Sequence, residues 1–230
     1  MGSVPLRRDA PVPASVSPRT TTAGPSHANR WLLHGATKPA LFVLACLPAA
    51  WLLWAALADQ LGANPAEALI RSLGDWTLRL LVLVLLVTPL RQLTGWSALA
   101  RMRRMVGLFV FAYASLHLLA YAWFDQGLVL ADVLVDVAKR PFILVGMLCW
   151  FLLLVLAATS FNRAIRVLGA ARWQWLHRSV YAVAVLAVLH FFWMRSGKND
   201  FVEVAVYGSV LAALLGWRVW RRFAVRTAAR

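Results

Sequence analysis

Long apolar runs separated by short polar stretches dominate the hydropathy pattern of the chain. Most of these runs are close to the about 20 residues that a helix needs to cross a bilayer, although the second and fifth are shorter. They cover residues 40–58, 76–90, 105–124, 142–160, 179–194 and 201–220. Because a chain in lipid must satisfy its own backbone hydrogen bonds, we expect helices. The pattern predicts an all-α, six-helix integral membrane bundle.

The two ends of the chain differ from this apolar region. Residues 1–38 are rich in Pro, Ser, Thr and Arg without apolar periodicity, which predicts a disordered cytoplasmic arm. Residues 39–222 are expected to form the six-span domain, and residues 223–230 a basic cytoplasmic tail. No apolar core follows the early arginines until about residue 40, so the first span is expected to be a start-transfer helix and not a cleaved leader.

Composition agrees with a membrane protein, since 61% of the residues are hydrophobic and 14% are charged. A net charge of +15 could suit nucleic acid, but most of the 24 basic residues lie at the termini and in alternate loops. By the positive-inside rule both termini are cytoplasmic, and the loops beginning near Asp59, Asp125 and Arg195 face outward. Acids in these outward loops are expected to be ordinary solvated residues; steering of a complementary partner is the alternative.

Three histidines, His117, His177 and His190, lie within or at the edge of apolar runs. An ionisable side chain in hydrocarbon costs about 2.5 kcal/mol or more, so each needs a partner. Haem iron suits neutral imidazole. A hydrogen bond to a neighbouring helix and a proton relay are the alternatives, the latter weakened by the lack of acids at mid-membrane depth.

Helix geometry separates the three histidines into two groups. His177 and His190 are 13 residues apart, about 20 Å along one helix, so they cannot share an iron. The third and fifth spans both run outward, which places His117 and His190 at similar depth in the outer leaflet. The sequence therefore predicts one haem between the third and fifth helices, with His117 and His190 as axial ligands.

Other chemistry is excluded by what the sequence lacks. Cys46 and Cys149 each stand alone in an apolar span, with no spacing typical of zinc or of iron–sulfur clusters, and packing is their expected role. No nucleotide-binding motif is found, so any reductant must come from a partner or from the membrane.

Several motifs in order resemble one family. They are LGANP at 61–65, VTPL at 87–90, RRMVGL at 103–108, SLHL at 115–118, RPF at 140–142, TS at 159–160, WQWLHRSVY at 173–181, and the final His190. The chain resembles the MsrQ (YedZ) family of haem-binding membrane subunits, within the wider ferric reductase-like transmembrane group. Leu73-Gly74-Asp75 is a small departure, because a Thr-Gly pair is expected there.

The resemblance implies a multi-pass protein of the bacterial inner membrane that binds b-type haem, either one or two, and FMN. It implies an electron-transfer subunit and not the catalytic one. Electrons would come from the quinone pool or a cytosolic flavin reductase. They would pass to a periplasmic molybdenum-containing MsrP-type subunit that repairs oxidised methionines.

A second departure concerns the inner half of the membrane. In the wider group, two histidines on the third span and two on the fifth span hold two haems. In this chain the position 14 residues before His117 is Arg103. His177 is left with three alternatives: a second haem with a non-histidine partner, a second haem with no further ligand, or a flavin or quinone site. Trp173, Trp175 and Arg178 either line such an entry or anchor the helix at the interface.

Two other functions fit the same residues. A stand-alone ferric- or quinone-type reductase would use the histidines without a partner protein. A non-redox six-helix transporter or assembly factor would explain the helices alone.

Overall fold

A computed structural model describes residues 27–197 and 199–228, and all regular structure in this part of the chain is helical. This confirms the all-α prediction. Within these residues, one 3-10 turn, Ser97–Arg101, accompanies ten α-helices. The helices are α1 His27–Leu33, α2 Thr37–Leu57, α3 Pro65–Thr94, α4 Arg103–Phe124, α5 Leu130–Lys139, α6 Pro141–Ala158, α7 Asn162–Leu168, α8 Ala170–His177, α9 Val180–Ser196 and α10 Val202–Ala228.

Within the described residues, six helical segments are long and apolar enough to cross a membrane, as predicted. Their bounds differ from the expected ones in two places. The second span is the whole of α3, 30 residues that begin at Pro65 behind an Asn64 N-cap. The fifth is α8 followed by α9, Ala170–Ser196, with a break at residues 178–179. Both were predicted too short because polar residues in their first turns interrupt the hydropathy pattern.

The predicted terminal segments are only partly described. Residues 1–26 of the arm and residues 229–230 of the tail lie outside the described residues. Residues 27–33 of the arm form α1, which differs from the expectation of disorder. The reason is Asn29, which is buried, donates to the Ser97 hydroxyl and accepts from the Ala98 backbone N–H at 3.0 Å. Most of the predicted tail continues α10 to Ala228.

Two helix hairpins form the centre of the bundle. α3 packs along α4, α6 packs along α9, and α4 contacts α6 between them. The core is built of Leu and Val from these helices and from α10, with Leu81, Val110 and Val183 almost fully buried. Apolar side chains that face away from the core, such as Trp51, Trp54 and Leu57 on α2, remain exposed. Exposed apolar residues on this scale are typical of a lipid-facing surface.

A buried tyrosine on α4 contacts α2 at a proline. Pro48 interrupts α2, and there the Tyr113 hydroxyl accepts from Ala49 N–H at 3.0 Å and donates to the Ala45 carbonyl at 2.8 Å. Tyr113 is 1% exposed, so this bridge fixes α2 against α4. The hydroxyl is inserted between the Ala45 carbonyl and the N–H of Ala49, four residues on, next to the position where Pro48 has no N–H to donate.

The two ends of the bundle carry different charges. We call residues 58–64, 125–140 and 199–201 the acidic end, and residues 95–102 and 159–179 the basic end. α3 and α6 begin at the acidic end, and α4 and α9 finish there. The amphipathic helix α5, which the hydropathy pattern did not reveal, lies at the acidic end against α6.

Candidate functional site

His117 on α4 and His190 on α9 face each other across the bundle. Their ring centroids are 6.3 Å apart, and the ring planes are nearly perpendicular, at 84°. α4 and α9 are the third and fifth spans of the sequence prediction. The structure therefore brings these two predicted residues together at the same depth.

Each of these rings is held by a backbone carbonyl of a neighbouring helix. His117 Nδ1 lies 2.8 Å from the Ile70 carbonyl oxygen on α3, and His190 Nδ1 lies 2.6 Å from the Phe142 carbonyl oxygen on α6. A carbonyl can only accept, so Nδ1 carries the proton and the lone pair is on Nε2. A hydrogen bond from the second ring nitrogen is the usual support of a metal-binding histidine, because it fixes the tautomer and the ring orientation.

The spacing of the two rings fits a metal ion between them. Two imidazoles that bind opposite faces of one metal ion through bonds of about 2.0 Å have ring centroids about 6 Å apart. Within the described part of the chain, no group of three or more His, Cys, Asp or Glu side chains could hold a metal ion. A haem iron takes only two axial ligands from the protein, and two facing imidazoles can supply both.

A cavity of about 490 Å³ surrounds the two rings. Its volume lies within the range of about 300–1,000 Å³ that is common for sites of drug-sized ligands. The walls near the histidines are apolar and aromatic, with Leu78, Ala114 and Trp150 among them. The residues present therefore fit a haem group in ligands, in space and in polarity.

Charged side chains line the cavity towards the acidic end. Arg71 pairs with Glu67 at 2.6 Å, and Arg140 pairs with Asp136 at 2.8 Å. Asp136 is buried and also accepts from the Tyr121 hydroxyl at 2.7 Å. Two of the acids that were expected to be solvated are thus engaged in pairs within the protein.

Asp125 lies beside these pairs, just after α4. Burial raises the pKa of its carboxyl group, Arg140 opposes that rise, and the nearby Asp136 and Glu67 add to it. The acidic end of the cavity is therefore a cluster of coupled charges and not a set of independent surface acids.

His177 is in a different place, at the last residue of α8 near the basic end. Its Nε2 lies 3.1 Å from the Thr159 hydroxyl, and its ring stacks on Trp173 with centroids 4.0 Å apart. Trp173 is fixed in turn by donating from Nε1 to the Thr159 carbonyl at 2.8 Å. As predicted from spacing, His177 does not join the other two histidines.

A second, smaller cavity of about 80 Å³ lies beside His177. Arg103, Tyr181 and Arg218 line it, and it shares wall residues such as Leu81 with the larger cavity. Arg103 thus lies on the same cavity as His177, where the wider group would place a histidine pair. This volume is far below the about 300–1,000 Å³ that is common for sites of drug-sized ligands.

Sequence reasoning missed several residues of this site. The carbonyls of Ile70 and Phe142 carry no signal in a sequence, because backbone groups are identical at every position. Gly74, next to the histidine ring, was noted only as a departure from a motif. Arg140 was noted only as the first residue of a motif and Arg71 was not singled out, and only the fold shows them at the cavity.

The fold and this geometry define a class: a multi-pass helical membrane protein with an internal site between two facing imidazoles. Residues 73–188 match the family described as "Ferric reductase like transmembrane component". Since this match covers half of the chain and the relatives below cover more, the chain belongs to the ferric reductase-like transmembrane family and, within it, to the MsrQ family.

Three relatives illustrate the similarity, and all bear the name "Protein-methionine-sulfoxide reductase heme-binding subunit MsrQ". The protein of Polaromonas naphthalenivorans is 61% identical, over 85% of this chain and 89% of its own. That of Bordetella pertussis is 55% identical, over 82% and 92%. That of Ralstonia nicotianae is 50% identical, over 80% and 85%. No solved structure is significantly similar to the chain.

Proposed function

We propose that this protein is a membrane b-type cytochrome subunit that passes electrons to a methionine sulfoxide reductase. His117 and His190 would be the axial ligands of one haem between α4 and α9. The observation that carries the proposal is the facing pair of rings, each with Nδ1–H bound to a carbonyl and its lone pair on Nε2. Family membership and the names of the relatives support the same function.

The bound haem would supply one-electron chemistry, accepting an electron from one partner and passing it to another. The residues of this chain do the rest. The two imidazoles hold the iron, the Ile70 and Phe142 carbonyls keep them in one tautomer, and the apolar wall excludes water. The protein itself breaks no bond of a substrate, so it is an electron-transfer subunit and not the catalytic one.

The charge difference between the two ends supports an orientation. By the positive-inside rule the basic end would face the cytoplasm, together with both termini. The acidic end then faces the periplasm of a bacterial inner membrane. The larger cavity extends to that end, so a haem in it would lie within reach of a periplasmic, molybdenum-containing MsrP-type partner.

Two arginines in the larger cavity are suited to bind the propionate carboxylates of a haem. Arg71 and Arg140 line the larger cavity towards the acidic end. Arginine is well suited to carboxylates, because its planar guanidinium donates two parallel hydrogen bonds. We infer that these arginines, whose present partners are Glu67 and Asp136, would hold the carboxylate groups of a bound haem.

The basic end would receive electrons. His177 and Arg103 line the smaller cavity there, and Trp173 stacks on His177, so aromatic and cationic groups are available for contact with a quinone or with FMN. The donor is then either the quinone pool or a cytosolic flavin reductase acting through FMN. The shared wall of the two cavities would keep this entry close to the haem.

The test is the reduced-minus-oxidised spectrum of detergent-purified wild type with a pyridine-haem determination, compared with His117→Ala and His190→Ala. We expect low-spin b-type haem in the wild type, and either substitution to abolish it or convert it to high spin. His34→Ala is the matched control, since His34 is exposed and remote from both cavities. Colourless wild type after haem-sufficient expression would refute the proposal and favour the non-redox alternative.

A second measurement separates the partner from a stand-alone reductase. The reduced protein is mixed with a purified MsrP-type subunit and methionine sulfoxide, or with ferric citrate, and haem reoxidation is followed by stopped flow. We expect rapid reoxidation only with the partner subunit present. Equally fast reoxidation by the ferric complex alone would favour the stand-alone ferric-type reductase.

A further inference from the structure

Each of the two facing histidines lies directly against a glycine of the neighbouring helix. A Cβ atom placed on Gly74 of α3 would be 3.2 Å from His117 Cε1, and one on Gly146 of α6 would be 2.8 Å from His190 Cε1. The second distance is below any real Cβ contact, and the first is tighter than most. The His190 ring therefore occupies space that only glycine leaves open, and the His117 ring would have to shift by a few tenths of an ångström to admit a Cβ.

The same arrangement of carbonyl, glycine and histidine occurs in both hairpins. In α3 and α4 the carbonyl of Ile70 accepts from His117, 47 residues later, and the glycine stands four residues after the carbonyl. In α6 and α9 the carbonyl of Phe142 accepts from His190, 48 residues later, again with the glycine four residues on. In each hairpin, one helical turn thus provides both the carbonyl that accepts the hydrogen bond and the space at the glycine into which the ring packs.

The two features depend on each other. In a helix, residues i and i+4 lie one above the other on the same face, so the side chain at i+4 stands beside the carbonyl of residue i. A methyl group at that place would lie where the ring now lies. The ring could then reach the carbonyl only by tilting, or the two helices would have to separate.

Helix propensity does not explain these glycines. Glycine is a poor helix former, and alanine in a helix interior is normally the more stable residue. Other helical glycines of this chain have room for a side chain: a Cβ on Gly208 of α10 would meet only Val188 Cγ1, at 3.7 Å. Gly74 and Gly146 differ from it because their nearest neighbours are the imidazoles.

We propose that Gly74 and Gly146 are positioning residues for the two axial imidazoles. Each admits its ring edge-on against the helix, so that Nδ1–H reaches the carbonyl one turn earlier while Nε2 points at the metal. This inference rests on the proposed haem function. It assigns to two glycines the control of how the iron is held, and hence of its spin state and reduction potential.

The experiment compares Gly146→Ala and Gly74→Ala with wild type and with the control Gly208→Ala. Three properties of the purified proteins are measured: haem per chain, the midpoint potential, and the electron paramagnetic resonance spectrum of the oxidised haem. We expect Gly146→Ala to retain haem about 10-fold more weakly or to turn high-spin, as when a ligand loses its supporting hydrogen bond. Gly74→Ala should keep its haem but with a shifted potential and altered resonance positions, because its clash is smaller. Gly208→Ala should match wild type.

Thermal unfolding and size-exclusion profiles of the same variants, prepared without added haem, separate positioning from folding. A purely structural role in helix packing predicts lower stability of the alanine variants with an unchanged haem spectrum, whereas glycines without any role predict equal or higher stability. If Gly146→Ala does not accumulate, Gly74→Ala decides the matter, since its ring must move by only a few tenths of an ångström. Wild-type potential and resonance positions in the glycine variants would overturn the inference alone. Absence of haem from the wild type would overturn the proposed function as well.

Discussion

Arg218 on α10 donates a hydrogen bond to the backbone carbonyl of Leu85 on α3. That carbonyl stands four residues before Pro89, which has no N–H with which to complete the helical bond. Leu85 is buried, so its carbonyl has no access to water. The arginine also donates to Leu214 O at 3.0 Å and lies over the Tyr181 ring. It therefore closes a gap in α3 that the proline opens.

We predict that Arg218→Ala lowers stability, because it leaves a buried carbonyl unsatisfied at a cost of about 1–3 kcal/mol. Arg218→Lys should fall between the two, since lysine can donate but cannot serve both carbonyls in the same planar geometry. The measurement is the midpoint of thermal unfolding in detergent. Arg221→Ala, at an exposed position on the same helix, is the control and should be unchanged. An equal loss in both alanine variants would show that charge at this helix end matters and not the Leu85 bond.

The depth of the histidines was predictable from the sequence because it needs only a helical rise and the direction of each span. His117 and His190 belong to spans that run the same way, and their distances from the span ends are similar. The rise per residue is fixed, so this estimate does not depend on packing. The all-helical fold and the six spans were predictable in the same way, because the lengths of the apolar runs alone indicate them.

What holds the rings could not be predicted from the sequence. The hydrogen bond of His117 to Ile70 depends on the register of α4 against α3, which is set by the packing of many apolar side chains. The length of α3 was missed since Glu67 and Arg71, which pair with each other, lower the mean hydropathy of its first turns. The amphipathic α5 was missed because a ten-residue helix is too short to stand out in a search for spans.

His177 gives a prediction for the basic end. We expect His177→Ala to leave the haem content and the low-spin spectrum unchanged, because this residue is absent from the wall of the larger cavity. Reduction of the haem by a quinol or by a flavin reductase with FMN should become slower, while reduction by dithionite should not. Gln174→Ala, exposed on the same helix, is the matched control. A fall from two haems per chain to one in His177→Ala would instead show a second haem at this site.

Asp125 predicts a dependence of stability on pH. Its pKa is raised in the folded protein, mainly by burial, so the folded state binds this proton more tightly than the unfolded state. The contribution to stability is then present in full below the unfolded value of 3.8 and is lost as the pH rises through the raised value. We expect Asp125→Asn to unfold at a slightly higher temperature than wild type at pH 7, with the difference vanishing near pH 4. Unfolding curves in detergent from pH 4 to pH 8 test this. Asp132→Asn, exposed on α5, is the control, and a gain that is constant over the whole range would contradict the assignment.

The ion pair of Arg71 and Glu67 allows the charge around the haem to be changed in either direction. A positive charge near the iron stabilises the reduced state, because reduction adds an electron, and a negative charge has the opposite effect. We therefore expect Arg71→Gln to lower the midpoint potential and Glu67→Gln to raise it. The double variant should lie close to wild type, since the pair is neutral and its atoms are only 2.6 Å apart. Redox titrations followed at the haem absorption band measure all three.

Arg163→Gln, exposed on α7 at the opposite end, controls for the general loss of a positive charge. Shifts of the same sign in the two single variants would show that the substitutions act through structure, and that these side chains do not set the potential by their charge.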